Sequence, residues 1–511
     1  MKCSNCQNEL TENAQFCGSC GRPVASAPPP PPPPISRPPG GAYPRPGQAG
    51  RQTIPTLAIV VAVATICLLA TVYLASVTIP RFMTRSQVIL YTVHDNGPGT
   101  PLNAIAAIKP DGRDYREIAH SRNGFLLPSS SYATQTYLAP NHRRLALYDR
   151  LGQTGSDWEL VLYDIETTRP QLIERTVLRF GVAGLGFSPD GRRFAYTTYD
   201  SRRNEATLFV VDEQGRELFS LPAAVYAGFF PDNRRVLVIQ TDSDGLFDAL
   251  AWVDTQTGEQ GRLTRLSESS GWVRPLISPD GQQIYFYADN ELLVVSATGG
   301  AARRVYEFES QRSATFFAPG SSSLLIYDQF NNNDNVGELR LVNPADNRPV
   351  RIDRDVNLLS LTNSHVGETA VDISADGSLV AYLGDTPGNL ALYVTGSDGR
   401  NRRRISSGNA WMTFAFSPDG RRIAFIEGRA ANQPGNLYVA DVDGGNRTRL
   451  DVDVWSFRFA PNGRTLVYSK VSGLNRNRPE SELYTIRPDG ERRELILEAQ
   501  RGLIGLLAWT R

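Results

Sequence analysis

Four cysteines open the chain at a spacing suited to metal chemistry. Cys3, Cys6, Cys17 and Cys20 lie in KCSNCQNELTENAQFCGSCGRP as C-x2-C, ten residues, C-x2-C. Each pair can fold into a turn that aims two thiolates at one point, and two such turns complete a tetrahedral all-sulfur shell for zinc. Gly18 and Gly21 ease the second turn. With thiolates in all four positions no place is left for water, so this zinc would be structural and not catalytic. A stretch of about 25 residues cannot bury a core of its own, whereas zinc binding supplies on the order of 10 to 16 kcal/mol of coupled folding energy. Two disulfides or a redox dithiol are the competing readings, although no βαβ pattern accompanies the pairs.

Other residue types capable of chemistry are sparse or dispersed. The four histidines, His94, His120, His142 and His365, fall in separate parts of the chain and each reads as a loop or edge residue. Asp190, Asp280, Asp376 and Asp419 recur, but each stands third in a Ser-Pro-Asp-Gly or Ser-Ala-Asp-Gly turn, where an aspartate caps the hairpin. TDSDGLFD (241–248) and NNNDN (331–335) are oxygen-rich without a full calcium-ligand loop, and read as solvated insertions. The double arginines that follow two turns, Arg192 with Arg193 and Arg421 with Arg422, read as solvated strand faces. No G-x-S-x-G elbow is present, so a hydrolase half is not expected. These residues point to a binding or scaffold protein. The alternative is an enzyme of lyase or lactonase type, with a metal or acid/base site in a central funnel.

The turns themselves organise the large part of the chain. FSPDGRRIAF at 416–425 nearly repeats FSPDGRRFAY at 187–196, and the pattern recurs around Pro140, Pro231, Pro279, Pro319, Ala375 and Pro461. Pro fixes φ, Asp suits the next position and Gly takes the left-handed conformation, so each copy reads strand, turn, strand. Spacings of 40 to 56 residues and further Asp-Gly hairpin signals give four strands per unit, the signature of a β-propeller blade. The terminal GLIGLLAWTR matches a first strand that stops before its turn, and residues 87–118 supply the rest of that blade. The expectation is therefore an all-β propeller closed by a split blade, with eight blades favoured and nine as the alternative. The repeats resemble the TolB-type, WD40-like propeller repeats of bacterial envelope proteins across 86–511. That resemblance implies a propeller and leaves function open, since the family includes scaffolds, sensors and the propeller halves of peptidases.

Residues 25–53 form a linker with seven consecutive prolines, Pro28 to Pro34, expected to be a disordered, extended polyproline spacer. TLAIVVAVATICLLATVYLASVTI (56–79) follows with no charge between Arg51 and Arg81. A helix of about 23 residues spans about 35 Å, enough for a hydrocarbon core of about 30 Å. A transmembrane helix is thus expected over 54–80, with Pro55 in its first turn and Pro80 at its stop. It lies too far from the start to be a signal peptide. Arg37, Arg45 and Arg51 precede the span and Arg81 and Arg85 follow it, which with the reduced thiolates places the N-terminus in the cytoplasm and the propeller, 81–511, outside.

Residues 1–24 also resemble the short zinc ribbon found at the N-terminus of many bacterial membrane proteins, including Phe16 before the third ligand and Gly21 after the fourth, with Gln7 where that family has Gly. The resemblance implies a docking surface for a cytoplasmic protein partner. The chain carries 53 basic and 53 acidic residues, with no basic body of the kind nucleic acid requires. The partners expected are the membrane and, on the propeller, a protein, peptide or envelope ligand.

Overall fold

A computed structural model describes residues 87–510, except 96–101, 122–134, 151–157, 176–183, 201–204, 267–272, 274, 310–313, 318–322, 330–335, 358–370, 385–389, 408–409, 429–432 and 474–478. The four cysteines, the proline-rich linker and the span expected at 54–80 lie outside the described residues, as do His365 and NNNDN. Among the described residues every regular element is a β-strand, and no helix is long and apolar enough to cross a membrane.

Strands follow one another in antiparallel four-strand meanders. The second meander is representative: Gln135–Leu138, Arg144–Arg150, Trp158–Asp164 and Pro170–Arg175, each hydrogen-bonded to the next. Its successors span 185–222, 224–265, 276–307, 314–357, 371–404, 410–454 and 454–501. The last two share a 12-residue strand, Thr448–Phe459, whose first half pairs with Gly435–Asp441 and whose second half pairs with Leu466–Ser472. The first meander is split in sequence, running Leu503–Trp509, Ile89–Asp95, Leu102–Ile108, Arg116–Ser121. Among the described residues the strands thus make nine meanders. Ile89 faces Trp509 in register, the Val88 N–H donates to Thr510 Oγ1 at 2.8 Å, and the Thr510 N–H returns to the Val88 carbonyl at 2.9 Å.

Packing follows from a two-residue period in which both faces of each sheet are buried. On the second strand of the eighth meander, Ile423 and Phe425 point to the seventh and join Leu383 and Val394. Ala424 and Ile426 point the other way, to Phe457 and Tyr468 of the ninth. The decapeptide at 187–196 does the same, with Phe194 and Tyr196 against the second meander and Ala195 against the fourth. Every successive pair of meanders shares such a cluster, and Ile89, Tyr91, Ile504 and Leu506 of the first pack with Val467 and Leu483 of the ninth. No meander can bury both faces alone, since each large apolar side chain gains its roughly 1.5 to 3 kcal/mol only against a neighbour. Contact of the ninth with the first closes the circle. This is the architecture of a β-propeller.

The first strands of neighbouring meanders touch in series, Leu185–Phe187 lying between Gln135–Leu138 and Ala224–Phe229, and so line the axis. Fourth strands such as Glu217–Pro222 are largely exposed and form the rim. Connections between first and second strands, and between third and fourth, lie at the same end of every sheet. That end carries the recurring turns and the site described next.

Candidate functional site

Each Ser-x-Asp-Gly turn closes on its own side chains. Ser188, Ser278, Ser374 and Ser417 donate Oγ–H to Asp190, Asp280, Asp376 and Asp419 at 2.6 to 2.7 Å. The same carboxylates accept the N–H two residues on at 3.0 to 3.2 Å. Each serine Oγ also accepts the N–H five residues on, for instance from Arg422 at 3.0 Å. The serine hydrogen bond is the largest influence holding Asp280 and Asp419 below the ordinary carboxylate range and Asp376 down to about 2. The repeated aspartates are engaged in the turns, as their position predicts.

Turns of successive meanders also touch. Asn141 Nδ2 donates to the Asp190 carbonyl at 2.9 Å, and the Asp190 N–H donates to Asn233 Oδ1 at 2.8 Å. Gly281 has φ +69°, and a Cβ there would come within 2.9 Å of the Pro231 ring. The motif glycine therefore meets two demands, a left-handed backbone and an adjoining turn.

The other candidates do not converge. His94 and His120 belong to one sheet, but His94 is in register with Asn103 and His120 with Ala104, which puts them on opposite faces. His142 sits in the turn of the second meander with φ +54°. Asp242 accepts the N–H groups of Asp244 and Leu246, both at 2.9 Å, and Asp248 pairs with Arg262 at 2.5 Å, so TDSDGLFD closes a turn and an ion pair. Among the described residues no group of three or more His, Cys, Asp or Glu is placed to hold a metal ion.

A cavity of about 780 Å³ opens at the turn end between the eighth and ninth meanders. Its walls are the turns 417–422, 463–465 and 485–494, and they bring in Arg421, Arg422, Arg464, Arg487 and Arg492 against Asp419, Asp489 and Glu494. Asp419 is engaged with Ser417, and Asp489 pairs with Arg487 at 2.8 Å. Of the double arginines, Arg192, Arg421 and Arg422 are exposed, as solvated strand faces should be, and Arg193 alone departs from that description. Arg193 crosses to the fourth meander, donating from Nη1 to the Asn233 carbonyl at 3.1 Å and to Thr255 Oγ1 at 2.8 Å. Gln283 likewise crosses from the fifth meander to the Pro344 carbonyl at 2.9 Å. Arg422, in the matching place of the near-identical decapeptide, stays with Asp441 of its own meander at 3.8 Å. Strand registers explain the difference: where the fourth meander presents Asp254 and Thr255, the ninth presents Arg487 and Pro488, a cation and a residue with no side-chain acceptor. The space that Arg193 fills in one interface is left open in the other. The pairing of arginine decapeptide with Arg487-Pro488 was a signal in the sequence, readable once the registers are known.

Comparison with known proteins bears on both ends of the chain. Residues 2–24 match the family model described as a zinc-ribbon domain. The thiolate donor set of that ribbon, Cys3, Cys6, Cys17 and Cys20, fits zinc and would hold it with no open position. Among solved structures, one titled the eukaryotic initiation factor is similar at a TM-score of 0.50 and 13% identity, over 83% of this chain and 98% of that one. TolB from Acinetobacter baumannii is similar at a TM-score of 0.26 and 16% identity over 70% of this chain and 81% of that one. An oligogalacturonate lyase in complex with manganese is similar at 0.37 and 18%, over 70% and 98%. At 13% identity the first of these likenesses concerns fold alone.

Proposed function

We propose that this protein is a membrane-anchored binding or sensor protein: a nine-bladed propeller outside the cytoplasm recognises a ligand, and a cytoplasmic zinc ribbon meets a protein partner. Nine meanders and nine shared clusters support nine blades, the number that eight turn motifs plus the split blade also give, and one more than the eight expected from the usual size of propellers. The apolar run at 56–79 supplies the anchor, and Cys3, Cys6, Cys17 and Cys20 hold a structural zinc. The observation that carries a binding role is the cavity between the last two meanders, whose lining is dominated by arginines and whose Asp419 and Asp489 are engaged with Ser417 and Arg487. Such a lining holds anions well and offers little for proton transfer at neutral pH.

Metal analysis of the purified full chain separates this from the enzyme reading. One zinc per chain, lost in Cys3→Ser and Cys17→Ser, fits the binding protein. A second metal ion retained in those variants would place a metal site in the propeller and favour a lyase-like enzyme. Capture of interacting proteins with the full chain, compared between the wild type and Cys17→Ser, then assigns partners to the ribbon or to the propeller.

A further inference from the structure

The cavity at 417–494 has a charge pattern specific enough to name a ligand class. Three of its arginines, Arg421, Arg464 and Arg492, are exposed, and among the described residues no carboxylate is recorded within ion-pair distance of any of them. They come from three separate turns, the first-to-second turns of the eighth and ninth meanders and the third-to-fourth turn of the ninth, so they surround the space from different sides. Gly463 seats the ninth turn against the eighth, its notional Cβ lying 3.3 Å from the Pro418 ring, which fixes the relative position of Arg421 and Arg464.

Arg492 adds an independent observation. Its backbone is left-handed, with φ +52°. The corresponding residue in three sister turns is Asp114, Asn401 or Asn446, at φ +53°, +59° and +49°. Asp and Asn tolerate that conformation through their short polar side chains, whereas other non-glycine residues are disfavoured there. The chain thus places an arginine where these three sister turns use the conformationally suited residue, and that arginine lines the same cavity as Arg421 and Arg464. Backbone strain retained in a cavity wall points to a use for the side chain it carries.

We propose that this cavity binds a small polyanion, a ligand carrying two or more phosphate or carboxylate groups, through Arg421, Arg464 and Arg492. The proposal rests on the binding role given above and names its ligand chemistry. Guanidinium forks bind planar carboxylate and tetrahedral phosphate oxygens with paired hydrogen bonds. The cavity volume falls within the roughly 300 to 1,000 Å³ usual for small-molecule sites. Its lining includes no aromatic or large aliphatic side chain, which disfavours apolar ligands. Arg422 pairs with Asp441 and Arg487 with Asp489 and Glu491, so Arg421, Arg464 and Arg492 are the lining cations with no recorded ion pair among the described residues, and three such groups suit a ligand with more than one anionic group.

The test is calorimetric titration of the detergent-solubilised full chain with pyrophosphate and, separately, with citrate. Binding of at least one probe is expected, weakening as salt rises, and whichever binds more tightly assigns phosphate or carboxylate chemistry. Arg421→Gln and Arg464→Gln should each weaken binding about tenfold. Arg492→Asn is the decisive variant: it installs the residue of the sister turns, so the melting temperature should hold or rise while affinity falls about tenfold. Arg192→Gln, at the equivalent turn of the third meander, should leave affinity unchanged. No binding of either probe up to about 10 mM, or Arg492→Asn binding as tightly as wild type, overturns the proposal. If the polyanion fails while a protein partner is still captured through the propeller, the binding role stands and only its ligand chemistry falls.

Discussion

Tyr382 donates its hydroxyl hydrogen to Asp353 Oδ2 at 2.6 Å across the boundary between the sixth and seventh meanders. Arg402 completes the group, donating from Nε to the Tyr382 hydroxyl at 3.1 Å, pairing with Asp353 at 2.8 Å and lying 3.7 Å over the Tyr393 ring. Tyr468, Asp451, Arg493 and Tyr484 repeat the arrangement between the eighth and ninth, with Tyr468 to Asp451 at 2.7 Å and Arg493 4.0 Å over Tyr484. Burial, reinforced by the Asp353 carboxylate, pushes the Tyr382 hydroxyl far above its ordinary pKa and keeps it a donor. Apolar clusters give the ring its cohesion, and these polar groups fix how neighbouring sheets sit on one another.

Tyr382→Phe removes a buried hydrogen bond to a charged acceptor and should lower unfolding stability by about 1.5 to 3 kcal/mol. The midpoint of urea unfolding, followed by tryptophan fluorescence, reads the change. An unaltered midpoint would show that the group contributes nothing across the boundary.

Gly281 and Gly377 occupy the same place in equivalent turns with φ +69° and +72°, but a Cβ at Gly281 meets the Pro231 ring while one at Gly377 meets nothing within 4 Å. Gly377→Ala should therefore cost only the left-handed backbone penalty, about 1 to 2 kcal/mol. Gly281→Ala should cost on the order of 1 kcal/mol more, because a rigid ring must shift. Equal losses in thermal unfolding would mean that the turns do not press on one another.

Acid should weaken the propeller through its turns. Asp280, Asp376 and Asp419 have folded pKa values below the ordinary carboxylate value, Asp376 at about 2. A depressed folded pKa contributes stability that is present above the unfolded value of about 3.9 and is lost as pH falls through the folded one. Stability should hold down to about pH 4 and decline between about pH 4 and 2, and Asp376→Asn should flatten part of that decline. A pH titration of the urea midpoint checks both.

Removal of metal should act on the ribbon alone. Incubation with a strong chelator, or Cys17→Ser, should release one zinc and make the segment before Arg22 protease-sensitive, while the melting temperature of the propeller stays within about one degree. A fall in propeller stability would show that the two parts depend on each other.

Much of this was legible in the amino-acid string because it rests on local chemistry. Ser-Pro-Asp-Gly dictates a hairpin, the alternating residues after it dictate a sheet with two buried faces, and GLIGLLAWTR is visibly a first strand lacking its partners. The environments of the two arginine pairs were not legible, since near-identical decapeptides send Arg193 across to Thr255 and leave Arg422 with Asp441. That outcome is decided by what the next meander presents, which depends on register between segments more than sixty residues apart. The Tyr-Asp-Arg groups were half visible: IDRDV at 352–356 and LDVDV at 450–454 repeat each other, but only packing shows which aspartate meets a tyrosine. The turn motifs with the split blade number nine, and only the usual upper size of propellers argues for eight, whereas the shared strand Thr448–Phe459 accommodates two meanders without an extra connection.

Closure of the ring by the two ends of the propeller is the claim on which the rest depends, and amide hydrogen exchange of residues 503–509 tests it most directly. Paired with Ile89–Asp95 and packed against Val467 and Leu483, these amides should exchange as slowly as those of 89–95 and be released together with them as denaturant is added. Exchange of 503–509 within seconds, while 89–95 remains protected, would show an unpaired tail and contradict the closed propeller.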